Sequence, residues 1–251
     1  IRKAILIMDG EDKANDKGAI PQLLSDSLGI SFDTSVGHDF IDDSEARYEF
    51  YHREEVRMPF DIDLLNKVTK GGLPRKSMTV LLATTGGGKS LVKCHAAASY
   101  LMTGKNCLYI TMEMAEERIA ERIDANMMDV TLDELKLLPR DVYNKRMDRI
   151  KSKCTGKLVV KEYPTGSAHV GHFRHLLNEL KMKKNFTPDV IFIDYLNICA
   201  SMRVKGAAAA NSYTLVKSIA EEVRGLAMEY NCAVVTSSQF NRDGYGNSDV
   251  D

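Results

Sequence analysis

No apolar run in this sequence approaches the roughly 20 residues that a membrane-spanning helix requires, and no basic-then-apolar leader opens it. No contact with a membrane is expected, and the cytoplasm is the expected compartment. An excess of one charge is also lacking: 34 lysines and arginines stand against 35 aspartates and glutamates, a net charge of -1. That balance excludes a uniformly basic protein that coats nucleic acid, so any grip on phosphates must come from a local cluster of Lys and Arg. Cysteine is sparse and unpatterned. Cys94, Cys107, Cys154, Cys199 and Cys232 are odd in number, widely spaced and free of any CxxC pair, which fits reduced thiols better than disulfides or zinc. No repeat of solenoid period is present. The sequence starts at Ile1 and stops at Asp251 in a polar stretch, as expected of a piece of a longer protein.

What is present is enough apolar material, 44% of 251 residues, for one large domain with a sizeable core. Residues 1–60 are polar and broken, and precede the main domain expected at 61–251. Short helices are predicted at Ile1 to Met8 and from Pro21 through Leu23, Leu24 and Leu28 to Gly29, where proline and glycine punctuate the ends. The second has too little apolar surface to form a core alone, so it should dock on this domain or on another subunit.

From Thr79 onward, short β-branched runs alternate with helical stretches, the pattern of an α/β fold with a mostly parallel, twisted sheet covered by helices on both faces. The expected strands are Thr79 to Ala83, Cys107 to Thr111, Leu158 to Lys161, Val190 to Asp194 and Ala233 to Ser237. The expected helices are Lys89 to Met102, Ala115 to Asn126, Leu132 to Leu138, Asp141 to Lys151, Val170 to Lys183 and Ser212 to Tyr230. In the last, Leu215, Val216, Ile219, Ala220, Val223, Leu226 and Ala227 share one face. Thr131 and Glu134 have capping-box spacing.

The strongest chemical signal is Ala83-Thr84-Thr85-Gly86-Gly87-Gly88-Lys89-Ser90, set between an apolar strand and a helix as a phosphate-binding P-loop must be. Thr85 and the three glycines let backbone N–H groups turn toward phosphate oxygens, and the helix N-terminus favours the anion. Lys89 would meet the β- and γ-phosphates of a nucleotide, and the Ser90 hydroxyl would ligate Mg²⁺. Ala83 stands where glycine is usual, and a small residue should still fit.

Asp194 ends an apolar strand at the edge where open α/β sheets bind ligands, and reads as the second Mg²⁺ anchor, through water. Tyr195 follows it, so the catalytic base must come from elsewhere. Glu113, just beyond Thr111, is the candidate to hold and deprotonate the attacking water. Glu116 and Glu117 read as first-turn acids that complement a helix dipole. Gln239 closes the last strand as either a sensor of the γ-phosphate or an ordinary strand exit. His169, His172 and His175 lack a completing Cys or acid and read as a solvated helix start, not a metal site.

These motifs, in this order, resemble DnaB-type hexameric replicative helicases. The resemblance is carried by Gly71-Gly72-Leu73-Pro74-Arg75, Thr111-Met112-Glu113-Met114, Asp194, and Ser238-Gln239-Phe240-Asn241-Arg242. It narrows toward the T-even-like bacteriophage branch through Met58-Pro59-Phe60, Asn66 to Gly72, Met112 to Glu117, and Tyr163-Pro164-Thr165-Gly166. It covers nearly the whole chain. It implies a RecA-like core and a homohexamer that hydrolyses ATP or GTP with Mg²⁺ at subunit interfaces. It further implies movement along single-stranded DNA, with a primase and a helicase loader as partners in the host cytoplasm.

By position, the resemblance makes Lys89 and Ser90 the phosphate and Mg²⁺ ligands, Asp194 the metal support, Glu113 the base, Gln239 the sensor, and Ile20 to Leu28 the linker helix. Arg203 and Lys205 fall where the family carries a DNA loop, and either that role or a solvated surface loop fits them; Arg242 falls at the start of a second. The trans-acting arginine finger and the N-terminal collar should lie outside this stretch. Since such a finger supplies about 10³ to 10⁵ in rate, the stretch alone should hydrolyse ATP poorly. The competing readings are another RecA-like ATPase, such as a recombinase or a KaiC-like switch, and a P-loop kinase for a small molecule.

Overall fold

The computed structural model describes residues 2–10, 38–53, 55–204 and 211–239, with backbone alone at 2–4. The helix expected from Pro21 to Gly29, Lys205, the Ala207 to Ala210 run and Arg242 lie outside the described residues. The chain forms two compact units, Ile1–Glu54 and Glu55–Asp251.

The first unit holds α1 (Arg2–Met8), where a short helix is expected, and α2 (Ser44–His52), which the polar sequence did not announce. The start of α2 is local chemistry. Asp39 Oδ1 accepts the amides of Ile41 and Asp42, each at 2.9 Å, and the turn runs straight into the helix. None of the α2 side chains is buried, which is why no apolar stripe marked it.

The second unit opens with β1 (Arg57–Met58), α3 (Asp63–Val68) and β2 (Leu73–Pro74), in which β1 pairs antiparallel with β2. Two of the sequence motifs find their reason here. The Asn66 side-chain amide bonds both the amide and the carbonyl of Phe60, at 2.8 and 2.7 Å. Gly72, at φ +119°, passes so close to β1 that a Cβ would lie 2.1 Å from the Met58 carbonyl oxygen, so nothing larger than glycine fits.

The main body follows as β3 (Met78–Ala83), α4 (Lys89–Met102), β4 (Cys107–Thr111), α5 (Glu116–Met128), α6 (Leu132–Leu137), α7 (Arg140–Lys153), β5 (Leu158–Glu162), α8 (Val170–Lys184), β6 (Val190–Asp194), α9 (Ser212–Glu229) and β7 (Ala233–Gln239). The capping box at Thr131 and Glu134 is formed. His169 caps α8 by accepting the Gly171 amide at 3.0 Å, so the histidine cluster marks a helix start.

The five strands run parallel in the order β3-β7-β6-β4-β5. Because the pleat alternates, β4 sends Leu108 and Ile110 to one face and Cys107 and Tyr109 to the other. Phe173 and Leu177 of α8 and Val223 and Leu226 of α9 pack on the first face, while Ala97 and Tyr100 of α4 and Ile119 and Ile123 of α5 pack on the second. Each of the Leu, Ile, Val and Phe side chains among them stabilises the sheet by about 1.5–3 kcal/mol when fully buried. With every strand pointing the same way, β3, β7, β6 and β4 end at one edge, side by side. In register, Ala83 lies beside Gln239, and Asp194 beside Thr111.

Candidate nucleotide-binding site

The turn from β3 into α4 is built by its glycines. Gly86 and Gly88 hold left-handed conformations, φ +76° and +78°, with open space where a Cβ would point. Gly87 is constrained differently: a Cβ there would lie 2.9 Å from the Ala83 Cβ and 3.0 Å from the Thr84 carbonyl oxygen. Ala83 therefore fits the place where glycine is usual, and it does so against a bare Gly87. The Lys89 ammonium arches back over the turn, donating to the carbonyls of Ala83 at 2.8 Å and Thr84 at 2.6 Å.

A cavity of about 650 Å³ opens on this turn, within the range that suits a nucleotide-sized ligand. Thr85 to Ser90 form one wall, with Glu113 from the tip of β4 and Gln239 from the tip of β7 beside them. Three strand ends thus bring together the phosphate cradle, an acid and an amide that are far apart in sequence. The opposite wall, Arg122, Ala125 and Asn126 of α5 with Val130, Thr131 and Leu132, was not foreseen. The capping box was legible in the sequence, but nothing there showed that it lies against the cavity.

Glu113 is exposed, yet its loop is pinned on both sides. The Met112 amide donates to the Asp194 carbonyl at 3.0 Å, and the Thr165 hydroxyl donates to the Met112 carbonyl. The Thr111 hydroxyl accepts the Met114 amide at 3.2 Å and donates to the Met114 carbonyl at 2.8 Å. Glu116 does more than face the helix dipole, since its Oε1 accepts the Glu162 amide at 2.8 Å and the Lys161 ammonium at 3.2 Å. The Glu162 amide above all, and then Lys161, hold its carboxyl below the usual range, against a smaller upward push from burial.

Asp194 ends β6, at the strand tip where the sequence puts it. It is 1% exposed and does not line the cavity. Lys93, from the buried side of α4, is ion-paired with its Oδ1, and the Tyr109 hydroxyl donates to its Oδ2 at 2.9 Å. Burial pushes the Lys93 ammonium down in pKa, an effect that Asp194 opposes, and burial raises Tyr109 far above the usual phenol range. The cradle fits a nucleoside triphosphate. The donor set for a divalent cation fits only in part: Ser90 lines the cavity, whereas both Asp194 oxygens are taken by protein groups. Among the described residues no cluster of His, Cys, Asp or Glu forms a metal site by itself.

Arg203 is also absent from the cavity wall. Its guanidinium lies along α9, paired with Glu221 at 2.8 Å and Glu222 at 3.4 Å and donating to the Ser218 carbonyl at 3.1 Å.

A parallel sheet in this strand order, with a P-loop at the tip of β3 and Glu113 and Gln239 at neighbouring tips, defines a RecA-like P-loop α/β domain. Within that class the chain belongs to the family described as DnaB-like helicase C terminal domain, which matches residues 58–249. It is 48% identical over 241 residues to the DnaB-like replicative helicase of Enterobacteria phage T4, a match covering 95% of this chain and 50% of that relative. The chain therefore spans about half the length of that relative. Among solved structures, a DnaB-like replicative helicase described with its interactions with primase superposes with a TM-score of 0.67 at 16% identity, covering 99% of this chain and 59% of that one. A second solved structure, described as an ATPase domain, gives a TM-score of 0.64 at 16% identity, covering 84% of this chain and 75% of that one. These two likenesses support the fold. Among the described residues no helix is long and apolar enough to cross a membrane.

Proposed function

We propose that this chain is the motor domain of a hexameric replicative DNA helicase, which hydrolyses ATP or GTP to move along single-stranded DNA and unwind duplex at a fork. The observation that carries this reading is the shared cavity wall of the P-loop, Glu113 and Gln239, in a member of the DnaB-like family. Lys89, released from the carbonyls of its own loop, offsets phosphate charge. Ser90 is the group this chain offers to Mg²⁺ arriving with the nucleotide, and that cation supplies charge neutralisation on the phosphates. Glu113, on its pinned loop, orients the attacking water and takes its proton. Gln239, in register with Ala83, senses the γ-phosphate and passes its loss to the chain beyond β7. Arg122 and the α5 to α6 wall receive the sugar and base.

In the whole protein, the segment expected as a linker at 1–60 ends at Glu54 and Glu55–Asp251 acts as the ATPase domain, since Met58 and Phe60 belong to its core, in a homohexamer that works with a primase and a loader in the cytoplasm of a bacterial host. The test is nucleotide hydrolysis by the full-length protein, with and without single-stranded DNA, for the parent, Lys89→Ala and Glu113→Gln. Strong DNA stimulation of the parent and near-complete loss in both variants are expected. Turnover indifferent to DNA but raised by a small phosphate acceptor would instead identify a kinase.

A further inference from the structure

Lys93 is the buried cation that the chemistry above leaves unused. It lies one helical turn beyond Lys89 on α4 and is 0% exposed. Its ammonium meets Asp194 Oδ1, the Ser237 hydroxyl at 2.7 Å and the Ile193 carbonyl at 3.4 Å. Tyr109 closes the set by donating to Asp194 Oδ2 at 2.9 Å. Groups from α4 and β4 thus occupy both oxygens of the carboxylate that ends β6. The same ammonium reaches β7 two residues before Gln239, so one side chain ties the P-loop helix to the ends of β6 and β7.

A carboxylate already paired with an ammonium has little net charge to offer a dication, and the ammonium repels one. We propose that Lys93, assisted by Tyr109, caps Asp194 and thereby sets the divalent-cation affinity of the nucleotide site. Lys93 is a positioning residue: it keeps Asp194 buried and off the cavity wall, so that the cation travelling with the nucleotide is held loosely, by Ser90 and the phosphates. This inference rests on the nucleotide reading of the cavity and concerns only how its metal is held.

The test titrates Mn²⁺ into full-length protein with a non-hydrolysable ATP analogue and reads free Mn²⁺ by its paramagnetic resonance signal. Metal-free binding of a fluorescent analogue is measured in parallel. Replacing Lys93 by methionine (Lys93→Met) should tighten Mn²⁺ binding by on the order of tenfold, the effect of removing one nearby unit charge. Lys93→Arg should stay near the parent, and metal-free nucleotide binding should be unaffected in both. A lysine that merely packs α4 against the sheet predicts weaker or unchanged Mn²⁺ binding on truncation, and either result overturns the proposal. Should Lys93→Met fail to fold, Tyr109→Phe keeps the ring stacked on Phe192, at 5.7 Å between centroids, and frees one Asp194 oxygen. It should tighten Mn²⁺ roughly fivefold, one hydrogen bond's worth, and no tightening overturns the cap. A parent that binds no nucleotide at all defeats the proposed function instead.

Discussion

The Thr165 hydroxyl bonds the carbonyl of Met112, fifty-three residues earlier in the chain. The two residues belong to loops at the ends of neighbouring parallel strands, β5 and β4, which meet again where the Tyr163 amide donates to the Thr111 carbonyl at 2.9 Å. The Tyr163-Pro164-Thr165-Gly166 motif is therefore a clamp on the residue before Glu113. It gives a physical reason for a loop, far from the P-loop in sequence, to carry so specific a pattern.

Replacing Thr165 by valine keeps its shape and removes the clamp. The loop that carries Glu113 then loses one of its fixed points, and with Glu113 as the proposed base, misplacing it by a fraction of an ångström costs on the order of tenfold in rate. DNA-stimulated kcat should fall by about that factor, with nucleotide affinity little changed. Steady-state kinetics alongside a binding titration separate the two, and a variant that loses affinity but keeps kcat shows that the clamp does not position Glu113.

The three glycines of the P-loop should fail for two different reasons. Gly87→Ala forces its new methyl against the Ala83 Cβ and the Thr84 carbonyl oxygen, so the turn must open and nucleotide affinity should collapse. Gly86→Ala and Gly88→Ala meet open space and incur only the left-handed backbone cost, about 1–2 kcal/mol each. Ala83→Gly in the Gly87→Ala background removes one of the two clashes and should restore part of the affinity. Binding measured across the five proteins gives the order, and equal losses at all three glycines contradict it.

Glu116 makes stability depend on acid. Its folded carboxyl titrates below its ordinary value of 4.5, chiefly because of the Glu162 amide. A depressed folded pKa contributes stability that is complete above the unfolded value and is lost as pH falls through the folded one. Denaturant unfolding of the parent and of Glu116→Gln should therefore differ at neutral pH and converge as the pH drops below about 4.5. A constant gap down to pH 3 would mean that packing, not ionisation, accounts for the difference. The carboxylate is partly solvated, so salt should narrow the gap at every pH.

The sheet was readable because strands buried on both faces are continuous apolar runs, and the P-loop because its chemistry is contiguous. Cys107–Thr111 and Val190–Asp194 match their expected bounds for the first reason, and Lys89–Met102 for the second. The helix α2 was not readable, since none of its side chains is buried and its start depends on the Asp39 turn. The P-loop, Glu113 and Gln239 were found as motifs, but the Arg122 and Thr131 wall exists only once α5 and α6 fold over the cradle. Asp194 was legible as a strand-end acid. Its partner Lys93 was not, because a lone lysine within a helical pattern reads as a solvated residue until the sheet is packed against it.

The pairing of Arg203 changes what it can offer to DNA. A guanidinium already spread over Glu221 and Glu222 presents little net charge to a phosphate, so Arg203→Ala alone should weaken single-stranded DNA binding only slightly. Glu221→Gln is the sharper change, because Glu221 is exposed and its loss leaves the Arg203 guanidinium held by the largely buried Glu222 carboxylate and the Ser218 carbonyl. That variant should bind single-stranded DNA more tightly, and its affinity should fall more steeply with salt, by up to about 0.7 in the log–log slope for one added phosphate contact. Fluorescence anisotropy at several salt concentrations measures both quantities on the full-length protein. If the slope is identical in the parent, Glu221→Gln and Arg203→Ala, then Arg203 touches no phosphate and the Ser201 to Val204 turn serves only to hold the end of β6 against α9.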